Sequence, residues 1–538
     1  MPYFSRGTMF EKTFWKYGVL LMICAALPIV SCQHHKNRAT NTLTLNFQAG
    51  DLPSLHPQEL MGHVRGVCVG KLLFECLTRL DEKDKIHLTG AETVDVSADR
   101  TCYTFTLRKN RWSDGTPVTA AHYANAWKAA LAPNSASPRA DLLYVIKNGE
   151  KAKRGKVPLD MIGVEAVNDQ MLVVNLEYPS SSFLDLVAQP VCAPLKDPDL
   201  QQPTIFNGPF IVASWERNNL LRLKGNPHFW NRNRVSLSQI DIVMMSDTAT
   251  AFEAYEKDQL DWIGSPLSPF TVEQIQLLEK TNEILTQPGG FFFWVYLNTK
   301  HPALASSSIR HALSLALDRK AITKSIRLYS WPLCRMFADS LLPIRMKTSS
   351  LLREDEEDAK LLFQNALQKM GLSEETFPPL TISYAQQGNH KQFAEYLQQT
   401  WKRVLGINVR LQQMEYNVLR ANLANGQFDI SPTCQGVSYN DPMEVLEWFE
   451  HLQPSNFSQW AHSGYQHLIT LARREPDTQS RFLFLGQAEE ILLQELPVIP
   501  ICSDWLPFAH RPGLKNYAFD GGGAVDFSYA NWGKESPN

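Results

Sequence analysis

The sequence has little of what metal, redox or nucleic-acid chemistry requires. Its 538 residues include nine cysteines but no CxxC pair, so neither a zinc site nor a dithiol redox motif is indicated. The formal net charge is −3, and no run of like charge is long enough for a nucleic-acid-binding tail. The GxSxG, HExxH and P-loop motifs are also absent. These absences argue against an enzyme and predict no cofactor.

The apolar run Tyr17–Leu27 is too short to predict a membrane-spanning helix and fits the core of a signal peptide, since basic residues precede it. It is followed by Ile29-Val30-Ser31-Cys32, which resembles the bacterial lipobox, whose cysteine becomes the lipidated first residue. We therefore expect residues 1–31 to be a lipoprotein signal peptide, Cys32 to carry the lipid, and 32–42 to be a polar tether. A plain signal peptide or an anchor helix is the alternative.

The rest of the chain has an ordinary globular composition, 44% hydrophobic and 20% charged, and its length suggests three or four domain-sized units. Seven further cysteines are an odd number, and no pairing can be assigned to them. We expect several to be buried as small apolar side chains. They are Cys68, Cys76, Cys102, Cys192, Cys334, Cys434 and Cys502.

Strand-like and helix-like segments alternate between residues 380 and 430, which predicts a parallel α/β unit. The segments are Leu380–Tyr384, Lys391–Leu405, Asn408–Met414, Val418–Ala424 and Phe428–Ile430. In such sheets ligands bind beyond the carboxyl ends of the strands. His390, Tyr416 and Cys434–Ser438 would then converge on one crevice, unless the loops that carry them are ordinary surface loops.

The segment after Phe428–Ile430 contains strong local signals. Pro432 is expected to end regular strand pairing. Asp441 should cap a helix that has Pro442 at its first position, with Glu444 three residues after the cap as in a capping box.

Three further segments have clear patterns. Val69–Leu80 is amphipathic, Ile309–Ile322 is predicted to be helical, and Leu496–Ile501 is predicted to be an edge strand because it contains two prolines.

Five blocks of sequence, in this order, resemble the family-5 extracytoplasmic solute-binding proteins, which include the oligopeptide-binding lipoproteins of bacterial ABC importers. An example is the Trp-Ser-Asp-Gly-Thr-Pro run within the first block. Together the blocks span most of the chain beyond the signal peptide. They are Ala91–Trp127, Asn207–Trp230, Asn298–Arg319, Phe393–Asp429 and Gln487–Pro500.

The resemblance implies an α/β fold: a two-lobed periplasmic-binding-protein clamp (type II, cluster C-like) with an additional inserted domain. Domain I would comprise residues 43–74, 197–265 and 505–538. Domain II, the inserted lobe, would be 75–196, and domain III, the second ligand-clamping lobe, would be 266–504.

The implied function is capture of oligopeptides or peptide-like ligands, murein peptides among them, between the two lobes for delivery to the permease subunits of an ABC importer. Main-chain hydrogen bonds to the ligand would give broad specificity. The protein would be an exported monomer, anchored by lipidated Cys32 and facing the periplasm or the cell exterior. No nucleic acid or metal is expected as a partner.

The resemblance also implies roles for individual residues. The ligand main chain would pair with Gly62-His63-Val64 and with Cys434-Gln435-Gly436. His390 would lie near the carboxyl end of the ligand and Tyr416 would line a side-chain pocket. Ser438 and Tyr439 continue the second pairing segment.

Three departures from the family pattern bear on the ligand. Ser438 stands where oligopeptide binders have an aspartate that pairs with the ligand's α-ammonium, Pro432 replaces an arginine, and Gln435 replaces a tryptophan. A hydroxyl is a weaker partner for an ammonium than a carboxylate. A free peptide amino end is therefore not expected to be held in the usual way, unless the alignment slips and Asp441 is the anchor.

Gly290 and Gly436 stand where many relatives have a cysteine pair, which is consistent with the loss of one disulfide. Alternatives to a peptide ligand are a nickel chelate, haem or a sugar bound by the same clamp. A surface receptor or adhesin that is no longer coupled to transport is a further alternative, and an enzyme is the least favoured.

Overall fold

A computed structural model describes the larger compact unit of the chain, residues 40–538, in most of its length. The predicted signal peptide, Cys32 and the tether up to residue 40 lie outside the described residues. No helix within the described part is long and apolar enough to cross a membrane. The described ranges are 41–83, 85–198, 202–338, 341, 352–386, 388–451 and 455–533.

Helices and strands alternate along the described chain. The helices are α1 (Pro57–Leu60), α2 (Val64–Leu73), α3 (Ala120–Ala130), α4 (Gly149–Lys153), α5 (Phe183–Leu186), α6 (Thr248–Glu256), α7 (Val272–Lys280), α8 (Ser307–Leu315), α9 (Arg319–Ser325), α10 (Glu356–Met370), α11 (His390–Leu405), α12 (Tyr416–Ala424), α13 (Pro442–Glu447), α14 (Ser463–Arg474) and α15 (Thr478–Glu495).

The strands form several separate sheets. They are β1 (Thr42–Asn46), β2 (Thr78–Leu80), β3 (Ile86–Leu88), β4 (Ala91–Val96), β5 (Cys102–Leu107), β6 (Val164–Asn168), β7 (Met171–Asn175), β8 (Phe210–Glu216), β9 (Leu220–Gly225), β10 (Gln239–Val243), β11 (Trp262–Gly264), β12 (Leu285–Leu297), β13 (Ser330–Pro332), β14 (Leu380–Ala385), β15 (Val409–Met414), β16 (Ile430–Gly436), β17 (Val498–His510), β18 (Leu514–Lys515), β19 (Ala518–Phe519), β20 (Val525–Asp526) and β21 (Asn531–Trp532).

The first lobe contains two four-stranded sheets, with strand orders β1-β10-β9-β8 and β4-β5-β7-β6. One continuous apolar core joins them, with Phe105 of the second sheet and Ile240 of the first among its buried members. Phe519 and Phe527, near the end of the chain, belong to the same core. The segments predicted as domains I and II therefore pack as one body, and the boundary between them stays a prediction.

The second lobe is built on a mixed sheet of order β11-β17-β12-β16-β14-β15, to which β13 adds beside β17. Its central strand β12 alternates, so that Phe293 and Val295 enter the core on one face and Phe292 and Trp294 enter the core on the other. Because helices cover both faces, β12 is apolar without interruption between Phe291 and Leu297.

The parallel α/β unit predicted from the sequence is confirmed. Strand β14 pairs in parallel with β15 from Leu380 to Ala385, and with β16 at Ile430. Helix α11 connects β14 to β15 and ends at Gly406, whose φ of 74° is readily adopted by glycine. The carboxyl ends of these strands therefore lie at one edge of the second lobe.

The expectation that Pro432 ends its strand is wrong. Strand β16 continues to Gly436, antiparallel to β12, and Pro432 lies opposite Val295. Val437 N donates to Gly290 O at 2.8 Å, so by alternation Gln435 and Thr433 also bond to β12. The missing N–H of Pro432 faces away from β12, on the side of β14, whose pairing with β16 is limited to Ile430. On that side the Ser383 carbonyl accepts from Ser431 Oγ at 2.8 Å.

The edge strand predicted at Leu496–Ile501 begins at Val498 and runs further than expected, to His510. Val498 to Pro500 pair with β12 alone, whereas the later residues also pair with β13 and β11 on the other side. Pro500 is tolerated because the register shifts beside it, between Phe293 and Trp294 of β12. The strand also crosses the predicted boundary between domains III and I at residue 504.

Two predicted helices have different limits in the structure. The segment Ile309–Ile322 is divided into α8 and α9, because Asp318 caps α9 by accepting from Ala321 N at 2.8 Å. The amphipathic segment predicted at Val69–Leu80 begins earlier, at Val64, and its helix ends at Leu73.

All seven cysteines of the described part are free thiols, of which Cys68, Cys76, Cys192 and Cys502 are buried and Cys334 is exposed. Burial raises the pKa of the Cys68 thiol to about 12. The buried thiols therefore act as small apolar side chains, as expected for several of the seven cysteines.

Candidate functional site

A cavity of about 1000 Å³ lies between a first-lobe segment, residues 138–186, and a second-lobe segment, residues 416–481. Its volume lies at the upper end of the range for ligand sites. Its lining mixes acidic, basic and aromatic side chains from both segments. Representative residues are Arg139, Tyr178, Phe291, Tyr416, Glu444 and Arg473.

Five of the predicted site residues lie together in this cavity: Tyr416, Cys434, Gln435, Gly436 and Tyr439 all line it. Tyr416 is the first residue of α12 and is 44% exposed. Cys434 to Gly436 form the end of β16. The convergence predicted from the strand–helix order therefore occurs for these residues.

The end of β16 offers main-chain groups to the cavity. Main-chain groups of successive strand residues point to opposite sides. Those of Gln435 face β12, so the N–H and C=O groups of Cys434 and Gly436 face away from β12. In the described part of the chain, β14 pairs with this edge of β16 at Ile430 alone. The edge at Cys434 and Gly436 is therefore open to an added strand.

Gln435 presents a second unused group. Its side-chain oxygen Oε1 is buried and has no hydrogen-bond partner among the described residues. A buried acceptor of this kind is costly unless a donor reaches it. A ligand N–H is one donor that this cavity could admit.

His390 does not line the cavity. It begins α11, its ring centroid is 5.5 Å from that of Phe293, and it hydrogen-bonds to the Pro432 carbonyl. Burial and the nearby Arg327 guanidinium lower the pKa of His390 to about 4, so the ring is neutral at neutral pH. Its Nδ1 is buried without a partner among the described residues.

His63 and Val64 are not among the residues that line the cavity, and the strand expected at Gly62-His63-Val64 is not present. His63 is the extended residue before α2, and Val64 is the first residue of that helix. The physical reason is local, since the apolar helical spacing of α2 continues back to Val64. Their role in binding stays a prediction without support from this geometry.

Ser438 lies beside the cavity but is 8% exposed, and its polar groups are already used. Its Oγ accepts from Arg139 Nη1 at 2.5 Å and its carbonyl accepts from Gln189 Nε2 at 2.9 Å. Its N–H donates to Glu444 Oε2 at 2.8 Å. Ser438 therefore joins the two lobes by contacts within the chain.

Glu444 does not complete the predicted capping box. Asp441 does cap α13, accepting from Met443 N at 2.8 Å, but Glu444 reaches further back to Ser438 N and to Tyr439 N at 3.3 Å. Its Oε1 is 3.3 Å from Arg139 Nη2. Burial raises the pKa of Glu444 to about 7, although Arg139 and the two backbone donors oppose the shift.

Arg139 is held by carboxylates on two sides. Its Nε lies 3.1 Å from Asp141 Oδ1, in addition to the contact with Glu444. Burial alone would lower the pKa of Arg139, but the carboxylates of Asp141 and Glu444 raise it above the ordinary value. The guanidinium therefore stays charged at the junction of the lobes.

The other buried acids of this wall also have cationic partners within the chain. Arg473 pairs with Glu447 at 2.8 Å and with Glu450 at 2.5 Å, and its guanidinium carbon lies 5.0 Å from the centre of the Tyr178 ring. Asp441 pairs with a further arginine and is not among the residues that line the cavity. The alternative in which Asp441 anchors the ligand therefore has no support.

Sequence reasoning missed Arg139 and Arg473, because nothing local marks an arginine as part of a distant site. Arg139 follows Pro138 in an irregular loop, and Arg473 is one of two basic residues at the end of α14. Glu444 was singled out from the sequence, but as a helix cap. Among the described residues, no group of acidic, histidine or cysteine side chains is arranged to hold a metal ion.

The two-lobed α/β fold, with a large cavity between the lobes, is the fold of the extracellular solute-binding proteins. The structure is similar to that of the murein tripeptide binding protein MppA of Escherichia coli, with a TM-score of 0.78 and 25% identity, covering 92% of this chain and 99% of that one. The sequence model of the family "Bacterial extracellular solute-binding proteins, family 5 Middle" matches residues 85–457. The chain therefore belongs to family 5 of the bacterial extracellular solute-binding proteins.

Two relatives illustrate the range of ligands for which proteins similar to this chain are named. The oligopeptide-binding protein OppA of Bacillus subtilis (strain 168) is 31% identical over 513 residues, covering 92% of this chain and 93% of that protein. The probable deoxycholate-binding periplasmic protein YgiS of Escherichia coli (strain K12) is 27% identical over 448 residues, covering 80% of this chain and 82% of that protein.

Proposed function

We propose that this protein is the substrate-binding component of an ABC importer and that it captures oligopeptides or peptide-like ligands between its two lobes. It binds rather than transforms its ligand, as the names of its relatives indicate for them. Delivery follows from recognition of the loaded clamp by permease subunits in the membrane. Murein peptides are among the candidate ligands, and the binding unit is a monomer.

The open edge of β16 is the observation that carries the proposal. An extended peptide laid along Cys434 and Gly436 would accept from and donate to main-chain groups that have no strand partner in the described part of the chain. Main-chain pairing does not depend on the peptide's sequence. The mixed lining of the cavity would then accommodate varied side chains.

The test is native mass spectrometry of protein purified without denaturation. We expect a ladder of bound masses whose tandem spectra give peptide fragments. The variant Cys434→Pro, checked for folding by circular dichroism, removes an N–H that should pair with the ligand and none that bonds to β12, so it should bind less peptide. A protein that binds no peptide from a defined pentapeptide pool would contradict the proposal.

The cellular placement is part of the same proposal. Export follows from family membership, and a lipid on Cys32 would hold the protein at the membrane near its permease. The variant Cys32→Ser should lose incorporation of radiolabelled palmitate and appear in the soluble fraction. Labelling that persists in this variant would exclude Cys32 as the lipidated residue.

A second candidate is a non-peptide ligand in the same cavity. The relative named as a probable deoxycholate-binding protein is the observation that favours it. A single bound species without peptide fragments, in the same mass spectrum, would select this alternative. A nickel chelate, haem or a sugar would each be identified by its mass.

A further inference from the structure

Arg139 lies in the corner of the cavity beside Ser438, the position at which the family resemblance places the partner of a peptide's amino end. It lies between Ser438, Glu444 and Asp141 and donates to all three. The side chain belongs to the first lobe, whereas Ser438 and Glu444 belong to the second. The protein therefore places a cation of its own against the buried acid of this corner.

Glu444 has little capacity left for an additional cation, because three hydrogen-bond donors already use its two oxygens. One of its oxygens faces the Arg139 guanidinium, and the other accepts from the backbone N–H groups of Ser438 and Tyr439. Its side chain is 6% exposed, so water does not supply further partners freely. Asp141 is 52% exposed and remains solvated, which makes it a weak partner for a ligand charge.

A ligand ammonium entering this corner would face the Arg139 guanidinium. Like charges in a partly buried site repel, and the ammonium would also lose its water without gaining a free carboxylate. An uncharged group would not suffer either cost. The corner is therefore built against a charged amino end.

We propose that Arg139 is a specificity-determining residue, which takes the place of a ligand ammonium at Ser438 and Glu444 and selects peptides whose amino end is uncharged, as in N-acylated peptides. This inference rests on the proposed peptide-binding function. It states that the group at the amino end of the ligand is uncharged, which the fold alone does not determine.

The test is a competition at pH 7, where most free α-amino ends still carry a proton. A pool of pentapeptides with free amino ends and the same pool after N-acetylation are mixed in equal amounts, and the bound ratio is read by native mass spectrometry. The wild type should bind the acetylated pool at least as well as the free pool. The variant Arg139→Met should shift the ratio toward free amines by about tenfold, because Glu444 is then open to the ligand ammonium.

Three variants complete the design. Arg139→Met/Glu444→Gln should return to the wild-type ratio, because the uncovered carboxylate is gone. Arg139→Lys should keep the wild-type ratio, because a cation remains. Arg403→Met, which removes an exposed guanidinium paired with Glu356 on α10, should change nothing. If Arg139→Met does not fold, Arg139→Gln replaces it.

Two outcomes distinguish a failure of the role proposed for Arg139 from a failure of the proposed peptide-binding function. A wild type that favours free amines by tenfold or more, or an Arg139→Met ratio equal to the wild-type ratio, overturns the role of Arg139 and leaves peptide binding intact. A folded wild type that binds neither pool overturns the proposed function, and the inference with it.

Discussion

At the scale of single residues, the charge available to a ligand in the site depends on which side chains pair with its buried charged groups. Ser438 was recognised from the sequence as a departure from the family pattern, and its position beside the cavity agrees with that view. What the sequence could not reveal is that Arg139, almost three hundred residues earlier, would bind it. Such a pair depends on how two lobes meet, and no local pattern records that.

The pKa of Glu444 makes a prediction about stability. Burial raises this pKa from 4.5 to about 7, so between these values the folded state binds a proton that the unfolded state has lost. The contribution of Glu444 is therefore fully present below pH 4.5 and is lost as the pH rises through 7. The variant Glu444→Gln carries a neutral side chain throughout, so its free energy of unfolding should equal that of the wild type near pH 5 and exceed it by roughly 1 to 3 kcal/mol at pH 8.

Urea denaturation at a series of pH values measures this difference, with Arg403→Met as a variant whose difference from the wild type should not follow the titration of Glu444. A Glu444→Gln protein that is less stable than the wild type at pH 8 would show that the ionised carboxylate stabilises the fold.

Gly290 gives a second prediction at residue scale. A Cβ atom at Gly290 would lie 1.9 Å from the Gly521 carbonyl oxygen, whereas one at Gly62 would come no closer than 3.5 Å to another atom. We expect Gly290→Ala to lower the free energy of unfolding by about 1 to 3 kcal/mol, because the backbone must shift. Gly62→Ala should change it by less than about 0.5 kcal/mol.

Thermal and urea denaturation of the two alanine variants provide the comparison. Equal stabilities for the two would mean that the Gly521 loop moves away without cost. A cysteine pair would not fit here, because neither Gly290 nor Gly436, which lies opposite Phe291, has room for a side chain.

At the scale of elements, the position of β16 could be predicted from sequence patterns, but its length could not. The order of strands and helices from β14 to β16 was predictable, because apolar spacing and the Gly406 stop are local signals. The course of β16 beyond Ile430 was not, because a proline is compatible with a strand only when its missing N–H faces no partner. That condition depends on which neighbouring strand pairs with β16 beyond Ile430, which is a property of the whole sheet.

The direction of β16 predicts a small effect of substitution at Pro432 and a large one at Thr433. Pro432→Ala should change the free energy of unfolding by less than about 1 kcal/mol, because the added N–H faces away from β12. Thr433→Pro should cost about 3 kcal/mol or more, because it removes an N–H that bonds to β12. Urea denaturation measures both, and a larger loss for Pro432→Ala than for Thr433→Pro would contradict the assigned direction of the strand.

At the scale of the whole molecule, the two-lobed architecture and the family followed from ordered sequence blocks distributed over the chain. Tyr416 and Cys434 to Gly436 line the cavity, as the order of strands and helices predicted, and their contact with a ligand stays a prediction. The strand expected at Gly62 to Val64 was not present, because helical spacing there overrides a family correspondence. Family patterns therefore predict the fold of the chain, but the residues that contact each other in the site depend on how the two lobes pack.

The central claim is that a peptide main chain pairs with the open edge of β16 inside the cavity. Amide hydrogen exchange at single-residue resolution, measured with and without a saturating pentapeptide pool, tests it most directly. The N–H groups of Cys434 and Gly436 should exchange more slowly when peptide is bound, whereas Gln435, already bonded to β12, should change little. Peptide binding that leaves the exchange of Cys434 and Gly436 unchanged would contradict the claim.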